Sequence, residues 1–140
     1  MEDKSKIRLA IFTARNIKTS TGSTNTVVNL LNNLSEENYE ISIITIDDLV
    51  PDSMKLSQEE LEQKTLNTPY SLISESKKVS RFYNLGELNF SFIKEKFDVA
   101  IVAIYNTFGE DGKLLGVLDT CGVSYICPPL KTSLYALTNK

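Results

Sequence analysis

The loop Tyr105-Asn-Thr-Phe-Gly-Glu-Asp-Gly112 holds the densest candidate chemistry in this chain. Gly109 and Gly112 permit positive φ or close approach of the backbone to a ligand. Glu110 and Asp111 stand at the start of a helical pattern, where the macrodipole favours carboxylates. The same features also suit a tight strand-to-helix turn with a capping aspartate. A second loop, Ala14 to Ser23, is rich in hydroxyl and amide groups and leads into another helical pattern. Both loops suit a small polar ligand held by backbone N–H donors at a helix N-terminus. Neither matches GxGxxG or a Walker A loop, so no self-contained nucleotide cradle is expected.

Other reactive groups are few. The chain has no histidine, which removes Ser-His-Asp and Cys-His nucleophilic schemes and the commonest metal ligand. Cys121 and Cys127 fit neither a CxxC redox pair nor a zinc-ligand spacing, and they read as buried or half-buried thiols. No metal site is expected. Asp47 and Asp48 close an apolar run and read as solvated turn formers. Lys77, Lys78 and Arg81 form a small basic cluster, read as a solvated face.

The elements that must position these loops follow from hydrophobic pattern. Ile7 to Thr13 is a buried strand. Val27, Leu30, Leu31 and Leu34 recur at helical spacing, with Ser23 or Thr24 placed as the N-cap. Tyr39 to Ile46 is near-continuously apolar, as in a strand covered on both faces, and a parallel βαβ crossover joins the two strands. Ser57 and Glu60 stand in capping-box spacing at the head of a helix from Ser57 to Lys64. Pro69, Asn84 and Gly86 break up the remainder of the stretch from Leu49 to Phe97. Phe90 to Phe97 is a short amphipathic helix with Phe90, Ile93 and Phe97 on one side. Val99 to Ile104 is the clearest buried strand. Lys113 to Thr120 is a helix ending at Gly122 as C-cap, followed by a strand from Val123 to Cys127. Pro128-Pro129 force an extended linker, and Thr132 to Lys140 opens another helix.

These elements imply an α/β, Rossmann-like domain of three layers with a mainly parallel sheet. A length of 140 residues suits one domain over residues 1–140 with one core. Fifteen Lys and Arg against eighteen Asp and Glu give a net charge of −3. There is no basic stripe, so nucleic acid is not an expected partner. The charged start, Met1 to Lys6, carries no apolar signal segment and no membrane span is evident, so a cytoplasmic protein is expected.

The stretch FGEDGKLLGVLDTCGVSY, Phe108 to Tyr125, resembles D-alanyl-D-alanine ligases, in which a GEDG turn precedes a helix and a strand. The resemblance continues in spaced form from Ser133 to Asn139-Lys140, similar to the family's Ser…Asp-Lys segment. Ile7 to Leu34 and Tyr39 to Ile46 fit the family's first βαβ unit as pattern. It implies a divergent pre-ATP-grasp domain, the N-terminal substrate domain of an ATP-dependent carboxylate–amine ligase of peptidoglycan (cell-wall) synthesis.

In such an enzyme ATP and magnesium are held by ATP-grasp domains outside these 140 residues, so the isolated chain is expected to be inactive. The implied substrate is small and amino-acid-like, and a homodimer is the implied assembly. By resemblance Tyr105 and Asn106 line the substrate wall, where the family has His-Gly. Glu110, Asp111 and Gly112 shape the loop beside Ser23, and Lys140 contacts a phosphate. The family's ammonium-binding Glu falls near Ile17 or Lys18, which cannot replace it.

Two other readings stay open. Gly22 to Leu34 followed by YEISIITI is also similar to the opening of a two-Rossmann glycosyltransferase. The scarcity of reactive groups also fits a non-catalytic binding domain.

Overall fold

A computed structural model of the chain describes residues 6–15, 21–47, 52–65, 68–104 and 113–126. The first apolar run forms β1 (Ile7–Thr13) at the centre of the sheet. Its side chains alternate between faces. Ala10 and Phe12 join one buried cluster, Leu9 and Ile11 the other. A strand covered on both sides has no polar face to spare, which is why its sequence reads as an unbroken apolar run.

Helix α1 (Thr21–Asn33) follows, then β2 (Tyr39–Thr45), paired in parallel with β1 from Ile7↔Tyr39 to Thr13↔Thr45. After a 3₁₀ turn at Asp52–Met54 come α2 (Gln58–Thr65), α3 (Thr68–Ser74) and β3 (Val79–Asn84). A second 3₁₀ turn, Leu85–Glu87, leads to α4 (Phe90–Lys96), β4 (Val99–Ala103), α5 (Lys113–Cys121) and β5 (Ser124–Ile126). All neighbouring strands run parallel in the order β3-β2-β1-β4-β5.

Helices cover both faces, giving the three-layer α/β architecture that the pattern implies. Val27, Leu30 and Leu31 of α1, with Ile73 of α3, pack on Leu9, Ile11, Ile41 and Ile43. On the other face Ile93, Phe97, Leu114 and Leu118 meet Phe12, Ile44 and Val102. Each such Leu, Ile or Phe withdrawn from water contributes about 1.5–3 kcal/mol.

Local signals resolve as the residues dictate in two places. Ser57 N–H donates to Glu60 Oε1 at 2.9 Å while Glu60 N–H donates to Ser57 Oγ at 3.1 Å, a reciprocal capping box on α2. At the end of α5, Gly122 has φ +76°. Its N–H reaches Asp119 O at 3.1 Å and Val123 N–H reaches Leu118 O at 3.2 Å, the two bonds of a Schellman motif.

Elsewhere the structure departs from the pattern. Helix α1 begins at Thr21, so Ser23 and Thr24 lie inside its first turn and neither is the N-cap. Pro69 does not break the chain; it sits in the first turn of α3, where a missing N–H costs nothing. The stretch thought irregular contains β3, an edge strand. Its register shifts between Ile41 and Ser42, leaving Ser80 unpaired as a bulge. The bulge and the solvent on one edge erase the alternation by which a strand is recognised. Phe90 is 52% exposed. Phe92 takes its place, stacking edge-on against Tyr83 at 5.4 Å and Phe97 at 6.2 Å.

Candidate functional site

In an open parallel sheet, ligands bind beyond the carboxyl ends of the strands, at the point where the strand order reverses. Here β1 is followed outward by β2 and β3 on one side, and the chain then crosses to β4 on the other. The reversal therefore lies between β1 and β4, which pair from Leu9↔Val99 to Thr13↔Ala103. The loops singled out in the sequence are those that leave these two strands. Thr13, Ala14 and Ile104 at its base are all buried.

Of the residues expected to form the site, Ser23 lies in α1. It is fully buried, and its Oγ has no hydrogen-bond partner among the described residues. Tyr105, Asn106, Glu110, Asp111, Gly112 and Lys140 lie outside the described residues, as do Ile17, Lys18 and Cys127. Cys121 is a buried free thiol, and its burial raises the pKa above the ordinary value.

A cavity of about 430 Å³ opens at the carboxyl ends of β1, β2 and β3. Its wall includes Thr13 and Arg15 after β1, Thr45 and Asp47 after β2, and Phe82 and Asn84 at the end of β3. Helices α1 and α3 contribute Thr24, Ile73 and Ser74. Short bonds hold the strand ends together. Arg15 N–H donates to Asp47 Oδ1 at 2.8 Å, and Ile46 N–H to Thr13 O at 3.1 Å. Thr45 Oγ1 donates to Asn84 Oδ1 at 2.8 Å. The Thr13 hydroxyl is buried, with no hydrogen-bond partner among the described residues.

Sequence reasoning placed Asp47 at a strand exit but missed Phe82, Asn84 and Glu87, because β3 itself was not recognised. The aromatic pair Phe82-Tyr83 after Val79 was the signal available.

A second cavity of about 440 Å³ lies between α1 and α3. At its edge Lys78 Nζ donates to Leu31 O at 2.7 Å and Leu34 O at 3.0 Å. Lys78 thus closes the C-terminal end of α1, where a cation is favoured; it is not part of a solvated basic face. Among the described residues no group of His, Cys, Asp and Glu could hold a metal ion. None of the described helices is long and apolar enough to cross a membrane.

No family model matches the chain. It is 47% identical over 47 residues to a D-alanine–D-alanine ligase of Chlorobaculum tepidum, a match covering 34% of this chain and 13% of that ligase. A ligase of the same name from a Janthinobacterium is 42% identical over 43 residues, covering 31% of this chain and 13% of the other. The fold is shared with the D-alanine–D-alanine ligase of Coxiella burnetii, at TM-score 0.52 and 20% identity, over 96% of this chain and 40% of that one. It is shared too with the VanG D-Ala:D-Ser ligase of Enterococcus faecalis, at TM-score 0.55 and 18% identity, over 86% of this chain and 35% of that one. Over about a third of its length the chain is similar in sequence to D-alanine–D-alanine ligases, its parallel sheet has the fold of such enzymes, and it spans only a part of their length.

Proposed function

We propose that the chain is the N-terminal substrate-binding domain of an ATP-dependent carboxylate–amine ligase, inactive by itself. The observation that carries this reading is the reversal of strand order between β1 and β4. Both loops that are rich in hydroxyl, amide and glycine groups leave from those two strands. In this reading the domain binds and orients one amino acid, with Tyr105, Asn106, Glu110, Asp111 and Gly112 as its proposed contacts. Positioning of this kind supplies a large part of the rate in two-substrate reactions.

ATP and magnesium do not fit the described residues. They contain no cluster of metal ligands, and neither loop has the glycine spacing of a phosphate cradle. The reading therefore assigns both to ATP-grasp domains of a longer cytoplasmic protein, with Lys140 as this chain's contact to phosphate.

Two measurements test it. In a coupled ADP-release assay with D-alanine, ATP and magnesium, the 140-residue chain is expected to show no turnover. Substituted for the N-terminal domain of the Chlorobaculum tepidum ligase, it is expected to support dipeptide formation from some D-amino acid. Turnover by the chain alone, or a folded chimera inert towards every D-amino acid, overturns the reading.

A further inference from the structure

We draw no further inference here: the strongest candidate, the groove of about 440 Å³ between α1 and α3 lined by Val28, Leu31 and the exposed Leu72, carries nothing, because Lys78 at its edge is already bound to Leu31 O and Leu34 O and nothing in the structure shows what covers it.

Discussion

Arg8 and Asp98 bind each other through side chain and backbone at once, tying the start of β1 to the start of β4. Arg8 Nη2 lies 2.8 Å from Asp98 Oδ1 and Arg8 Nε 3.2 Å from Oδ2. The Arg8 backbone N–H donates to Oδ2 at 2.8 Å, and Asp98 N–H returns a bond to Arg8 O at 2.8 Å. Arg8 Nη1 also reaches Glu95 O at 2.8 Å, at the end of α4. The planar guanidinium fork matches the carboxylate in two places, a geometry lysine cannot supply.

The Arg8 side-chain hydrogen bonds first, and its backbone N–H second, hold the Asp98 carboxyl below the usual carboxylate range. A carboxylate depressed in the folded state stabilises fully above its unfolded pKa, near 4, and that contribution disappears as pH falls through the folded value. Thermal melts of wild type and Asp98→Asn are therefore expected to differ at pH 7 and to converge on acidification. Both side chains are more than 40% exposed, so the pH 7 gap is expected to stay below about 1 kcal/mol. A gap independent of pH would show that ionisation of Asp98 contributes nothing.

Gly122→Ala is expected to destabilise by about 1–2 kcal/mol, the cost of placing a β-carbon in left-handed backbone. Space is not the obstacle, since a β-carbon there would meet nothing within 4 Å. Denaturant unfolding checks this, and an unchanged midpoint would mean that the turn relaxes to negative φ.

Lys78→Met keeps the aliphatic stem and removes the ammonium that holds Leu31 O and Leu34 O. Loss of about 1 kcal/mol is expected. Faster hydrogen exchange should be confined to the last turn of α1; uniform loss of protection would point instead to damage in the packing of α1 on the sheet.

Thr26 is fully buried in α1 and its hydroxyl has no partner among the described residues. Thr26→Val preserves shape and removes an unpaired polar group, so stabilisation of roughly 1 kcal/mol is expected. A lower melting temperature for Thr26→Val would reveal that the hydroxyl is satisfied by water.

The sequence by itself determined the strands that are covered on both faces. Ile7–Thr13, Tyr39–Thr45 and Val99–Ala103 stand within one residue of their expected ends, because a two-sided burial leaves an apolar run that nothing else explains. It also determined the Ser57–Glu60 capping box and the Gly122 stop, since both depend on residues a few positions apart. The resemblance to D-alanine–D-alanine ligases was legible for the same reason. Tertiary structure alone decided the rest. β3 is a strand only because the edge of β2 offers its backbone groups partners, and its bulge hides the period that would announce it. Lys78 looked like a surface charge until the fold brought the end of α1 to it, across 44 to 47 residues of chain. The cavity joining Thr13, Asp47 and Asn84 exists only where three parallel strands end side by side. No local spacing encodes that meeting, because it is set by the order in which the strands pair.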